Sequence, residues 1–258
     1  MAKKKKLRVA IIGLTSCEGC QFVLLDQGRK FLDWLKEVEV DEFRMIEDEP
    51  MRDISYDLCL VEGNPVTKEN VRFLKEMRRR SKLLVVLGNC AALGGVWELK
   101  NYGLKKKTIR QVYKNSKHVE NPDIKEVDNF VKVDFTIPGC PIDGEEVMEV
   151  LYCLLNGKKP RLPQNPVCYE CQLAGYPCLL QQGKVCLGPI TLGGCKAVCL
   201  KSRQPCWGCR GLFEGAKINN FLSQLKKKFT TEEINHVMEV FGLRDHVAEE
   251  MSKRKNKK

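Results

Sequence analysis

Hydrophobic and polar positions in the first half of the chain alternate between two periods. Residues 7–14 are apolar apart from Arg8, the pattern of a strand buried in a parallel sheet. Residues 21–36 then place Phe22, Leu24, Leu25, Phe31, Leu32 and Leu35 at helical spacing, and residues 38–46 return to strand-like alternation. The pattern next predicts an apolar strand over 57–61 that ends at Glu62-Gly63, and a helix over 67–80 with Thr67 as its N-cap. Further strands are predicted over 82–87, running into Gly88-Asn89-Cys90, and over 131–137, running into Pro138-Gly139-Cys140-Pro141. A helix over 145–155 is stopped by Asn156-Gly157. Repeated alternation of this kind predicts an α/β fold with a doubly wound parallel sheet.

Beyond residue 157 the pattern is lost. Residues 158–166 contain Pro160, Pro163 and Pro166 and read as a linker, because closely spaced prolines exclude regular structure. Residues 168–215 hold eight cysteines and many glycines and show no period. Such a segment has too little apolar material for a core and is expected to be held by bound metal. Two helices are predicted to close the chain, over 216–229 and 230–241; Thr230 and Glu233 have capping-box spacing at the start of the second. The expected division is an α/β domain over 1–160 and a small irregular domain with C-terminal helices over 161–258.

The cysteines change the picture most. The 258 residues include 14 cysteines, and 12 of them fall into three sets of four. The first is Cys17, Cys20, Cys90 and Cys140, each just past the carboxyl end of a predicted strand, the sheet edge where ligands of open α/β folds bind. Gly19, Gly88 and Gly139 stand beside them and allow close backbone approach. The second set is Cys168, Cys171, Cys178 and Cys186; the third is Cys195, Cys199, Cys206 and Cys209. Four thiolates suit one 4Fe–4S cube, one per iron, so three cubes are expected. Zinc fits less well: the C-x-x-C pairs of the second and third sets have 34 residues between them, including four more cysteines, whereas zinc ribbons separate their pairs by roughly 15–20. Cys59 and Cys153 are read as inert core residues. The stretch from Gly13 to Gly19 has neither the dinucleotide nor the phosphate-loop glycine pattern, so no flavin or nicotinamide is expected on this chain.

Charge matters less than its total suggests. The net charge is +11, but Lys3 to Lys6 and the cluster Lys253, Arg254, Lys255, Lys257 and Lys258 supply nine of the excess charges. These are read as solvated, frayed termini. Aromatic residues are 7% of the chain and do not cluster, so no nucleic-acid partner is expected. No run of 18 apolar residues suggests a membrane span. The N-terminus lacks a small-residue cleavage pattern and a twin-arginine pair and reads as a basic tail leading into the first strand. A cytoplasmic location is the expectation, and in that reducing compartment metal ligation is the expected use of the cysteines.

The segments Thr15-Ser-Cys-Glu-Gly-Cys20, Gly88-Asn-Cys-Ala-Ala-Leu-Gly-Gly95, Pro138-Gly-Cys-Pro141, Pro166-Val-Cys-Tyr-Glu-Cys171, Pro177-Cys-Leu-Leu180, Cys186-Leu-Gly-Pro-Ile-Thr191 and Gly194-Cys195 together resemble the small subunit of nickel–iron hydrogenases. The resemblance implies a flavodoxin-like N-terminal domain and a C-terminal cluster domain. It makes the first cysteine set the holder of the cluster proximal to the nickel–iron site, the Cys195 set medial and the Cys168 set distal. Where periplasmic members have a distal histidine and often a medial proline, this chain has Cys168 and Cys199. All-cysteine ligation resembles the cytoplasmic sulfhydrogenase and NAD(P)-linked types. The implied partners are a nickel–iron large subunit, a flavin-containing diaphorase-type subunit and a further iron–sulfur subunit. No catalytic residue is expected on this chain, because nothing in it resembles the paired C-x-x-C motifs that hold nickel and iron in the large subunit of that family. Alternatives are a deazaflavin- or heterodisulfide-reductase-linked hydrogenase, or a stand-alone ferredoxin-like carrier. The related quinone-reductase subunit of respiratory complex I shares the N-terminal motifs but lacks the cysteine-rich tail. Glu18, between two proposed ligands, is a candidate for tuning the cluster or touching the large subunit, or is a solvated turn residue.

Overall fold

The computed structural model describes residues 6–48, 51–103, 105–115, 119 and 122–255. In chain order the elements begin β1 (Leu7–Gly13), α1 (Gly19–Asp26), α2 (Arg29–Glu37), β2 (Val38–Phe43), β3 (Tyr56–Glu62), α3 (Lys68–Arg80), β4 (Ser81–Leu87) and α4 (Gly88–Leu93). They continue with α5 (Leu99–Tyr102), α6 (Lys105–Val112), β5 (Phe135–Ile137), α7 (Gly144–Leu155), α8 (Val167–Leu173), α9 (Val198–Lys201), α10 (Ile218–Leu225), α11 (Thr231–Glu239) and α12 (Leu243–Lys255). The chain forms two compact units.

The first unit is Met1–Ala92 with His118–Arg161. Its strands form one all-parallel sheet in the order β2-β1-β3-β4-β5, the order of flavodoxin-like doubly wound folds. β1 lies in register with β3 from Val9 against Leu58 to Gly13 against Glu62. The apolar runs are buried as their composition requires, and Ala10, Ile12, Cys59, Val61, Leu84 and Val86 share one core with Leu74 and Met77 of α3. The strand order reverses between β1 and β3, so the carboxyl ends of those strands open a crevice.

Three differences from the sequence pattern have local causes. The helix predicted over 21–36 is two helices, broken at Gln27 and Gly28, whose φ is +53°. β5 has three residues rather than seven. Only Phe135, Thr136 and Ile137 pair with β4, because Asp134 meets Leu84 with its main-chain N–H at 2.9 Å and with its carboxylate at 2.8 Å. A side chain thus takes the place of a ladder partner. Cys90 lies in the short helix α4 rather than in a strand-end turn.

The second unit is Leu93–Lys117 with Leu162–Lys258. The segment after α4 is bound to the C-terminal helices: the Arg244 guanidinium lies 5.2 Å from the centre of the Tyr102 ring. A side chain on Gly242 would collide with the main chain of Leu93. Thr230 and Glu233 form the expected capping box at α11. One more helix follows, α12, anchored by the buried Leu243 and Val247. Its charge-rich sequence hides it, and Lys253, Arg254 and Lys255 belong to it rather than to a frayed end. Lys3 to Lys5 and Lys257 and Lys258 fall outside the described residues. Among the described residues no helix is long and apolar enough to cross a membrane.

Candidate iron–sulfur sites

The strand-end loops of the first unit are tied to one another by main-chain bonds. Leu14 N–H donates to Glu62 O at 2.8 Å, and Thr15 and Asn64 exchange N–H···O bonds of 3.1 and 2.9 Å. The Asn64 amide donates to Cys90 O at 2.6 Å, and Asn89 N–H donates to Gly139 O at 2.7 Å. The loops after β1, β3, β4 and β5 are therefore one hydrogen-bonded edge, and Cys17, Cys20, Cys90 and Cys140 all stand on it. Cys20 is buried, Cys90 half-buried, and Cys17 and Cys140 exposed. Gly88 has φ +80°, and a Cβ there would collide with Cys20 Sγ.

Glu62, at the end of β3, is the residue that sequence reading passed over. It is 2% exposed, and its carboxylate accepts from Cys20 N–H at 3.0 Å and Gln21 N–H at 3.2 Å. It serves the first turn of α1 in place of an N-cap side chain, since Glu18 makes no such bond and sits at φ +62°. The available signal was an acid closing an apolar strand: a charge placed there must find partners. Burial, and then the Glu62 carboxylate, push the Cys20 thiol far above its ordinary value, with further contributions from Cys140 and Cys90. Cys140 keeps an exposed edge, yet the protein packed around its Sγ raises its thiol first, and Cys17 and Glu62 add to the shift. The four thiols thus share one electrostatic neighbourhood.

In the second unit Cys168 and Cys171 lie on α8. Burial raises the Cys168 thiol to about 12, with added contributions from Cys186, Cys171 and Cys178. Cys171 is raised by burial and then by Cys186 and Cys178. These four cysteines are electrostatic neighbours. The third set adjoins them. Cys206 N–H donates to Cys186 Sγ at 3.3 Å, and Cys206, fully buried, is raised mainly by that burial and to a lesser degree by Cys186 and Cys209. Cys199 on α9 is raised by burial and then by Cys186. Cys195 is raised by burial and then by Glu170, against the main-chain N–H of Ala197 and the charge of Arg210. A small core of Val167, Leu179, Ala197 and Leu200 includes Cys171, Cys186 and Cys206, with Cys195 and Cys199 packed against it.

The donor chemistry fits iron–sulfur clusters: every set is all thiol, and Cys186 receives main-chain N–H bonds from Gly188 and Cys206, the kind that tunes cluster sulfur. Among the described residues no three or more Cys, His, Asp or Glu close on a point as ligands of a single ion. A cube, with its thiolates on its corners, holds them further apart. Cys59 is fully buried in β3, its thiol pushed to about 12 by that burial, and Cys153 is half-buried on α7; neither joins a set.

Residues 17–154 match the family described as NADH ubiquinone oxidoreductase, 20 Kd subunit, just over half of the chain. A solved NAD+-reducing [NiFe]-hydrogenase in its H2-reduced state contains a chain 27% identical to this one, with a TM-score of 0.55, covering 62% of this chain and 96% of that one. The sulfhydrogenase 2 subunit delta of Pyrococcus furiosus is 37% identical over 240 residues, 92% of this chain and 99% of that relative. The chain belongs to the nickel–iron hydrogenase small-subunit family. A second relative of this small subunit, from the F420-non-reducing vhu hydrogenase of Methanocaldococcus jannaschii, is 33% identical over 80% of this chain and 82% of its own. The 20 Kd family match spans β2 to β5 and ends at residue 154, ahead of Cys168, and eight further cysteines lie beyond it.

Proposed function

We propose that this small subunit relays electrons through three 4Fe–4S clusters in a cytoplasmic nickel–iron hydrogenase. The observation that carries the reading is that the first cysteine set stands on one hydrogen-bonded sheet edge and the second and third stand as neighbours in the cysteine-rich unit. Cys17, Cys20, Cys90 and Cys140 would hold the cluster facing a nickel–iron large subunit, where dihydrogen chemistry takes place. Cys195, Cys199, Cys206 and Cys209 would hold the medial cluster, and Cys168, Cys171, Cys178 and Cys186 the distal one. The bound clusters supply one-electron redox chemistry. The chain's own residues bind them, exclude water and fix their surroundings. A flavin-containing diaphorase-type subunit and a further iron–sulfur subunit are the proposed acceptors. All-thiolate ligation favours low potentials, by the logic that makes histidine raise them in Rieske centres, and low potentials suit exchange with dihydrogen.

The test is anaerobic purification of the native complex. A nickel-containing large subunit should copurify, and this chain should carry about 12 irons and no zinc. Stoichiometric zinc with little iron would end the cluster reading. The isolated chain, reconstituted with iron and sulfide, should show cluster redox signals but no dihydrogen uptake.

A further inference from the structure

Glu170 lies on α8 between Cys168 and Cys171, yet its carboxylate serves the neighbouring set. Its Oε1 accepts from Gly194 N–H, and its Oε2 accepts from Ala197 N–H at 3.1 Å and lies 3.9 Å from Cys195 Sγ. A Cβ on Gly193 would come to 3.1 Å from Oε1, so the acid is seated directly against that loop. Arg210 follows Cys209, is 3% exposed, and donates from Nε to Gly193 O at 2.7 Å. The stretch held this way contains two successive non-glycine residues in the left-handed region, Lys196 at φ +55° and Ala197 at φ +49°. Such backbone persists only where its surroundings over-determine it. Here an acid holds the N–H groups of the stretch and a guanidinium holds its carbonyl.

We propose that Glu170 and Arg210 are paired positioning residues for the cluster of Cys195, Cys199, Cys206 and Cys209, fixing the Cys195 loop and setting that cluster's reduction potential in opposite directions. The inference rests on the three-cluster reading above. Reduction adds an electron. A carboxylate beside Cys195 therefore disfavours the reduced cluster and a buried guanidinium favours it, and both act strongly in a poorly hydrated site. Because Glu170 is anchored between two ligands of the second set, it also links the geometry of one cluster to that of the next.

The experiment uses the intact complex with Glu170→Gln, Glu170→Asp, Arg210→Gln and Arg210→Lys. Iron content and reduction potentials are measured by paramagnetic resonance titration, and the cluster concerned is identified by the signal lost in Cys195→Ser. The potential of that cluster should rise in Glu170→Gln, fall in Arg210→Gln, and stay near the original in the two charge-keeping variants. Loss of about four irons in the glutamine variants alone is equally expected of a charge-dependent clamp. Unmoved potentials with full iron, shifts of the same sign, or equal iron loss in all four variants would overturn it. A shortfall of iron in the unaltered complex would instead sink the three-cluster reading, independently of any variant.

Discussion

Single atoms decide how closely the first cysteine set can gather. Gly88 turns the chain out of β4 at φ +80°, with Cys20 Sγ occupying the space a Cβ would need and Gly139 O at 3.3 Å from it. Alanine there would cost roughly 1–2 kcal/mol for the left-handed backbone and displace Cys20 as well. Gly88→Ala should therefore lower the thermal midpoint and remove about four irons, read by metal analysis and paramagnetic resonance. Full iron with an unchanged midpoint would show that the loop after β4 does not govern this set. Glu62 and Glu170 make a related point. Each is an acid whose partners are main-chain N–H groups far along the sequence, and no spacing rule exposes such a pairing.

At the scale of elements, β5 carries Cys140 to the sheet edge, and its own pairing is brief. Asp134 compensates: its carboxylate accepts from Leu84 N–H at 2.8 Å and from Arg78 at 2.5 Å, bracing β5 against β4 and α3. Burial raises the pKa of this carboxyl, but those two bonds and the nearby cations outweigh it and leave the value below the ordinary 3.8. A depressed acid stabilises the fold above its unfolded pKa, and that contribution fades as pH falls through the folded value. Asp134→Asn should cost about 1–2 kcal/mol at neutral pH. In denaturant titrations the gap from the parent should narrow toward pH 3. A gap that does not change with pH would mean that shape rather than charge holds β5. The capping box at α11 was legible because its partners are three residues apart; the Asp134 brace was not, because Leu84 is 50 residues away.

For the whole molecule, the two units differ in what their cores are made of. The sheet has a continuous aliphatic core, whereas three of the seven buried residues of the small core around α8 and α9 are proposed ligands. Removing iron with a chelator should leave the sheet resistant to limited proteolysis and open residues 162–215 to cleavage. Equal resistance before and after stripping would show that this unit folds without metal. Desolvation also raises the thiols of Cys20, Cys140, Cys168, Cys171, Cys186, Cys195, Cys199 and Cys206, which disfavours their thiolate forms in the absence of a cluster. Iron must displace those protons. Reconstitution should acidify a weakly buffered solution, and iron occupancy should rise with pH, because ligand thiols must lose their protons. Occupancy that does not vary with pH would contradict ligation by these thiols.

Local regularity is what the sequence determined by itself. Apolar runs marked β1, β3 and β4, because strands buried on both faces admit few other side chains, and the capping residues marked α3 and α11. The cysteine spacings and strand ends also suggested three sets of four, the grouping proposed above. Tertiary structure decided the rest: the strand order, the break at Gly28, the shortening of β5, the helix α12, and the contacts of Leu93 and Tyr102 with Gly242 and Arg244. It also decided that Glu62, Glu170 and Arg210 attend the cysteines. The reason is physical. Periodicity reports which side of an element is buried, whereas a charge held by distant main-chain groups depends on where the folded chain brings those groups.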